Sequence, residues 1–135
     1  MKEFTYRVPA MAVRLKGTRK VQAWQTDVPG LVIQRWIEGD GFALTHRYSG
    51  FIIRNSEDRE SLETLVGRLQ SVPIDWSVKQ GWEIMAQAAK LTDASVRLMT
   101  EILNGIRTKH AGKWRAACAA RATKRGFRKW WKENR

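Results

Sequence analysis

LVIQRWIEGDGFALT, residues 31–45, is the segment that best indicates how this chain folds. Residues 31–37 are rich in β-branched and aromatic side chains, which pack well on the pleated surface of a sheet. Residues 38–41, Glu-Gly-Asp-Gly, contain two glycines that adopt positive φ without steric cost, and residues 42–45 resume the apolar pattern. The segment therefore predicts an antiparallel β-hairpin.

Further strands are predicted on both sides of this hairpin. Phe4, Tyr6 and Val8 alternate with polar residues, which is the period of a strand with one buried face. Turn-forming residues separate the apolar segments that follow. We therefore predict an antiparallel meander of four to five strands over about residues 3–54. The predicted turns lie at 16–19, 27–30, 38–41 and 48–50.

After residue 54 the apolar residues recur with a helical period. Helices over about residues 56–108 are predicted to pack against the sheet, which makes the fold class α+β. The second of these helices is predicted over about residues 78–90. The candidate N-caps are Asn55 or Ser56 for the first helix and Thr92 or Asp93 for the third.

The charge of the chain, +12 in total, is concentrated at its two ends. Residues 1–20 carry a net charge of +5, residues 21–108 carry −2, and residues 109–135 carry +9. A globular body at 1–108 with a basic tail at 109–135 is the domain organisation that this pattern favours. Dense positive charge does not help folding, and it attracts polyanions such as nucleic acid or an anionic membrane.

The tail is predicted to be a single basic amphipathic helix over about residues 111–132. At 100° per residue its cations share an arc of roughly 120°, with alanines and Phe127 opposite. Trp114 lies inside the arc and Trp131 at its edge. The residues of the arc are Lys113, Arg121, Lys124, Arg125, Arg128 and Lys132.

Three uses of this helix are open. Its cations can neutralise phosphates while a tryptophan stacks on a base, or the helix can lie on an anionic membrane. Alternatively, Phe127 and Trp130 dock on the body and the basic face is solvated. Nucleic acid is favoured, because an alanine-rich face supplies little burial energy to a membrane and because residues 1–20 are basic too.

The first strands form a second candidate contact region. Five cations between residues 7 and 20 exceed what an edge strand needs to prevent aggregation. Trp24 and Trp36 are either core residues or stacking partners. The complete set of predicted nucleic-acid contacts is Arg7, Arg14, Lys16, Arg19, Lys20, Arg35, His46, Arg47, Tyr48, Lys113, Trp114, Arg121, Lys124, Arg125, Arg128, Lys129, Trp131 and Lys132.

No catalytic residue, metal site or cofactor is predicted. His46 has no acid at a spacing that would orient its imidazole, and no nucleophile elbow accompanies it. A metal-dependent nuclease would use a pair of carboxylates, either Asp75 and Glu83 or Glu38 and Asp40. A capping role already accounts for Asp75, and the glycine turn accounts for Glu38 and Asp40. Cys118 is the sole cysteine, so an intrachain disulfide is excluded.

Residues 30–70, three strands followed by a helix, resemble in outline the small sheet-plus-helix DNA-binding domains of some integrases and plant transcription factors. The order of strands and then helices is also similar to that of the Whirly family of single-strand-binding proteins. The resemblance concerns the order of elements and implies a fold, with no site residues attached to it.

These observations favour a non-catalytic nucleic-acid-binding protein that contacts mainly the phosphate backbone, with DNA slightly favoured over RNA. The alternative is a small inhibitor or assembly protein of a nucleic-acid-processing machine, docking on a protein partner through Trp130 and Trp131. No apolar run is long enough to span a membrane and no secretory signal begins the chain, so we expect a cytoplasmic or nucleoid-associated protein.

Overall fold

The computed structural model describes residues 2–9, 20–36, 39–104 and 108–134. The described residues form five antiparallel strands and five helices, which confirms the predicted α+β fold class. The strands are β1 (Glu3–Arg7), β2 (Lys20–Gln25), β3 (Leu31–Arg35), β4 (Phe42–His46) and β5 (Ile52–Ser56). The helices are α1 (Arg59–Leu69), α2 (Gly81–Ala88), α3 (Asp93–Asn104), α4 (Ala111–Ala120) and α5 (Lys124–Asn134).

The chain consists of two compact units, Met1–Gln70 and Ser71–Arg135, which we call the sheet unit and the helical unit. This division does not coincide with the predicted boundary between residues 108 and 109. Within the helical unit α4 packs against both α2 and α3, and α5 packs against α2. The C-terminal segment therefore belongs to a folded helical unit.

The sheet unit is a meander in which each strand pairs with its neighbour in sequence, in the order β1-β2-β3-β4-β5. Gly41 has a φ of 98° and its carbonyl accepts a hydrogen bond from Trp36 N at 3.0 Å, closing the predicted hairpin between β3 and β4. Gly50, with a φ of 76°, closes the next turn. Both turns require positive φ, which glycine adopts without the steric cost of a Cβ atom.

Helix α1 packs on β3, β4 and β5 and buries Leu62, Leu65, Val66 and Leu69. The predicted N-cap, Asn55 or Ser56, is wrong, because both residues belong to β5. Asp58 is the N-cap, and its carboxylate accepts a hydrogen bond from Ser61 N at 3.3 Å. Ser56 assists from outside the helix, since its hydroxyl oxygen accepts a hydrogen bond from Asp58 N at 3.3 Å.

Side chains cap the starts of α2 and α3, and only the cap of α3 is predicted from the sequence. Helix α2 is shorter than predicted, since it begins at Gly81 after a capping box formed by Gln80 and Glu83. Thr92 accepts a hydrogen bond from Ser95 N at 3.2 Å at the start of α3, which confirms one of the two predicted caps. Such caps satisfy amide groups that have no partner inside the helix.

The predicted single tail helix over residues 111–132 is wrong, because the segment forms two helices. Residues 121–123 separate α4 from α5. The hydroxyl oxygen of Thr123 accepts a hydrogen bond from Gly126 N at 3.0 Å, as expected of a side chain that starts a new helix. Lys113 and Arg121 consequently do not share a helix with the cations that follow residue 123.

Candidate nucleic-acid interface

Helix α5 begins at a close contact with the end of α4. A Cβ atom built on Gly126 would lie 2.2 Å from the backbone oxygen of Ala120, a distance that no real side chain tolerates. Only glycine at this position allows the first turn of α5 to approach the last turn of α4. Gly126 and the Thr123 cap together set where α5 starts.

One side of α5 is held by aromatic packing. Phe127 is 4% exposed, and a Cβ atom on Gly81 of α2 would lie 2.4 Å from its ring. The rings of Trp130 and Trp131 lie 5.6 Å and 6.2 Å from the Phe127 ring and 6.0 Å from each other, and both tryptophans are half-buried. Aromatic contacts at these distances are favourable, so this cluster anchors the helix.

The other side of α5 presents five exposed cations, and the open space among their side chains is about 510 Å³. Within the described part of the chain, none of them forms an ion pair or a hydrogen bond with another side chain. Lysine and arginine without protein partners remain available to phosphate oxygens. The five are Lys124, Arg125, Arg128, Lys129 and Lys132.

The remaining predicted contacts of the C-terminal segment lie outside this group. Lys113 is exposed and Trp114 is half-buried, both on α4. The guanidinium of Arg121 lies 4.5 Å from the centre of the Trp130 ring, a cation–π contact that occupies it within the protein. Trp131 belongs to the aromatic cluster rather than to the cationic side.

In the sheet unit, three predicted contacts share one face of the sheet. Arg7 lies directly opposite Lys20 in the β1–β2 register, and both are exposed. Gln22, two residues along β2 and therefore on the same face, accepts a hydrogen bond from Arg35 Nε at 3.1 Å. Arg35 also lies 5.3 Å from the centre of the Phe42 ring. The structure thus brings Arg7, Lys20 and Arg35 together.

Arg47 lies on the opposite face of the sheet. Its guanidinium is 4.6 Å from the centre of the Phe4 ring and 5.8 Å from that of Tyr6. The hydroxyl of Tyr6 donates a hydrogen bond to Oε1 of the buried Gln34, and burial raises the pKa of Tyr6 well above its ordinary value. This packing separates Arg47 from the three cations of the other face.

His46 does not contact the surface, which corrects the prediction that it helps to bind nucleic acid. The residue is fully buried, and its Nδ1 lies 2.6 Å from the hydroxyl oxygen of Ser49. Its place on β4, two residues after Leu44, puts it on the core face. Tyr48, two residues after His46, is 39% exposed. The centre of its ring lies 5.9 Å from that of the His46 ring, in an edge-on arrangement.

The two tryptophans of the sheet unit that were candidates for stacking on bases differ in their exposure. Trp24 is a core residue, 7% exposed, with the guanidinium of Arg59 4.7 Å from its ring centre. Trp36 is half-buried. The predicted contacts Arg14, Lys16 and Arg19 lie outside the described residues.

Asp75 and Glu83, one of the two carboxylate pairs considered for a nuclease, both cap backbone groups. Asp75 accepts hydrogen bonds from the hydroxyl of Ser77 at 2.5 Å and from its amide at 2.9 Å, and these two bonds lower the pKa of Asp75. Glu83 accepts a hydrogen bond from Gln80 N at 3.1 Å. Among the described residues, no three His, Cys, Asp or Glu side chains are grouped as metal ligands.

Sequence reasoning missed the residues that position the cations of α5. Gly81, Thr123 and Gly126 carry no charge, yet they fix the aromatic side of the helix and its first turn. A threonine three residues before a glycine inside a cationic run is a cap signal that the sequence does contain. The contact between Gly81 and Phe127 has no local signal, because the two residues are far apart in the chain.

Comparisons with protein-family models, with curated proteins and with solved structures find no match to this chain. The resemblance of residues 30–70 to sheet-plus-helix DNA-binding domains therefore stays a likeness in the order of elements. In the described parts of the chain no helix is both long enough and apolar enough to cross a bilayer.

Proposed function

We propose that this chain is a non-catalytic nucleic-acid-binding protein whose main contact is the cationic side of α5, acting as a basic amphipathic helix on the phosphate backbone. The observation that carries the proposal is the set of five exposed cations that no described acidic group neutralises. A helix anchored on one side by Phe127 offers these charges to a ligand without reorganising.

Counterion release gives this arrangement a measurable signature. Each phosphate neutralised by a lysine or arginine contributes about 0.9 to the slope of log K against log salt on duplex DNA. If all five cations of α5 touch phosphates, the slope is about −4.5, and the affinity falls roughly 500-fold between 50 and 200 mM salt. A neutral protein surface has no comparable dependence.

The shared face of the sheet supplies a second, weaker contact. Arg7 and Lys20 lie directly opposite each other, and like charges in this position repel. Both side chains are exposed, so a single phosphate can contact the pair. Arg35 contributes less, because it already interacts with Gln22 and Phe42. Arg47 is assigned to packing rather than to binding.

The alternative function, docking on a protein partner in a nucleic-acid machine, has one observation in its favour. Trp130 and Trp131 keep part of their surface exposed, and tryptophan is a frequent anchor of protein interfaces. Their rings also contact each other and Phe127, so they already contribute to the fold. Binding to naked nucleic acid in the absence of any protein distinguishes the two functions.

The test is a binding series with the full chain, labelled DNA and RNA, and 50–300 mM salt. Removing α4 and α5 is unsuitable, because both pack on α2. The informative variant is Lys124→Gln, Arg128→Gln, Lys132→Gln. We expect it to lower the affinity about 100-fold or more at 100 mM salt and to flatten the slope by about 2.7.

A matched control carries the same loss of three charges elsewhere in the helical unit. Lys90, Arg97 and Lys109 are exposed and lie outside α5, and we expect their replacement by glutamine to leave the slope within about one unit of the original. A second variant neutralises Arg7, Lys20 and Arg35 and should have an intermediate effect. Equal losses in the α5 variant and the control, or no binding by the intact chain, would refute the proposal.

A further inference from the structure

The arrangement of α2, α4 and α5 constrains which kind of nucleic acid fits the chain, which the charge alone does not. Three residues, 121–123, join α4 to α5, and α2 packs against both helices. The contact between Gly126 and Ala120 brings the start of α5 against the end of α4. Two helices joined by a short turn, the second of them basic, are the parts of a helix-turn-helix unit.

The aromatic rings of α5 are poorly placed for stacking on bases. Phe127 is buried, and Trp130 and Trp131 are half-buried and in contact with it. Of the large apolar side chains that the structure describes, Tyr48 in the sheet unit is the exposed one. Proteins that bind single strands rely on open aromatic platforms, so the exposed side of α5 suits a duplex better.

The positions of the five cations around α5 divide them into a centre and two margins. At 100° per residue they span an arc of roughly 140°. Arg125, Arg128 and Lys132 occupy the middle, whereas Lys124 and Lys129 lie at opposite margins. A helix presented to a groove in this way directs its central side chains at the floor and its marginal ones at the two walls of phosphates.

The dimensions of α5 match one groove. Its 11 residues give a length of about 16 Å, and a helix with its side chains is about 10–12 Å across. The major groove of B-form DNA is about 12 Å wide and admits a helix, whereas that of an RNA duplex is deep and too narrow for side chains to read.

Resting on the proposed function, we infer that the ligand is duplex DNA and that α5 lies in its major groove. Arg125 and Arg128, near the N-terminal end of the helix, face the base edges, where guanine N7 and O6 accept hydrogen bonds from arginine. Lys124 and Lys129 contact phosphates on either side of the groove. Phe127 and the two tryptophans remain on the protein side.

The first measurement compares the affinity of the full chain for double-stranded DNA, single-stranded DNA and double-stranded RNA of the same sequence at 100 mM salt. We expect duplex DNA to bind at least tenfold more tightly than either of the others. Steep salt dependence on all three ligands with no preference for duplex DNA would overturn the groove assignment and leave the proposed function standing. No binding to any of them would remove both.

The second measurement locates the groove with dimethyl sulfate, which methylates guanine N7 in the major groove and adenine N3 in the minor groove. We expect protection at guanine N7 that is lost in Arg125→Lys, Arg128→Lys, while the salt slope stays within about one unit because the charge is kept. Unaltered protection in this variant, or protection at adenine N3 alone, would contradict the assignment. Lys90→Arg, a conservative change outside α5, is the control.

Discussion

The arginines of the sheet and the cations of α5 have the same charge but different surroundings. In the sheet unit, Arg35 lies over Phe42, Arg47 over Phe4 and Arg59 over Trp24, at 4.6–5.3 Å from the ring centres. On α5 the rings lie on one side and the cations on the other. The number of charges in a segment therefore does not measure how many are available to a ligand.

The energetic consequence differs between the two regions. A guanidinium on an aromatic face contributes about 0.5–2 kcal/mol, which a sheet arginine gives up when it turns toward a phosphate. Arg59 is further occupied by Glu63, 3.2 Å from its Nε. Among the described residues, the cations of α5 have no ring contact or ion pair to lose, so under the proposed function their interaction with phosphate would appear in full as affinity.

The largest test of this comparison removes the support of α5 without changing its charge. Gly126→Ala places a methyl group against the Ala120 carbonyl, and we expect a loss of about 2 kcal/mol or more in the free energy of unfolding. Nucleic-acid affinity should fall with it, because the cations are no longer held on one surface. Chemical denaturation and a binding titration of the same preparation measure both.

Gly112→Ala is the matched control for that substitution. A Cβ atom at Gly112, on α4, meets nothing within 4 Å, so alanine should raise stability by about 0.5–1 kcal/mol through its better helix propensity. If both alanine variants proved equally stable, the close contact at Gly126 would not be what positions α5.

The next test exchanges one cation from each region for a neutral side chain. Arg128→Gln should lower the affinity for DNA about eightfold at 100 mM salt, and stability should change by less than about 0.5 kcal/mol. Arg47→Gln should do the reverse, lowering stability by about 1 kcal/mol and the affinity by less than twofold. A variant of Arg47 that loses affinity but not stability would break the distinction between the two regions.

The sheet was predictable because its determinants are local. Alternation of apolar residues and the glycine turns at 38–41 and 48–50 depend on neighbours in the sequence, and the meander follows from them. The burial of His46 was available from the same pattern, since it falls in phase with Phe42 and Leu44 on β4. The polar imidazole of His46 led instead to the prediction that it lies at the surface.

The break between α4 and α5 was not predictable from periodicity. The segment is rich in good helix formers, so its periodicity favours a continuous helix despite Thr123 and Gly126. What ends α4 is packing, in the contact of Gly126 with Ala120 and of Phe127 with Gly81. The cationic arc predicted for one continuous helix therefore includes Lys113 and Arg121, which do not lie on α5, and omits Lys129, which does.

The smallest expected effect is on the pH dependence of the free energy of unfolding. Each unit contains a weakly acidic group whose pKa is raised by burial, a thiol in the helical unit and a phenol in the sheet unit. Burial raises the pKa of the Cys118 thiol in α4 from 9.0 to about 11, and it raises that of Tyr6 in the sheet further. A pKa raised by folding means that the folded state holds the proton more tightly than the unfolded chain. The resulting stability is complete below pH 9 and is lost as the pH rises through 11.

Cys118→Ala isolates this contribution in the helical unit, because the variant has no thiol to titrate. Denaturant unfolding at pH 8 and at pH 10.5 should show a smaller loss of stability for Cys118→Ala than for the original chain. The tyrosine of the sheet still titrates in both proteins, so the difference between them belongs to the thiol alone. An identical loss in the two proteins would mean that the thiolate is tolerated inside α4, and the packing that holds the cationic helix would then be looser than its contacts indicate.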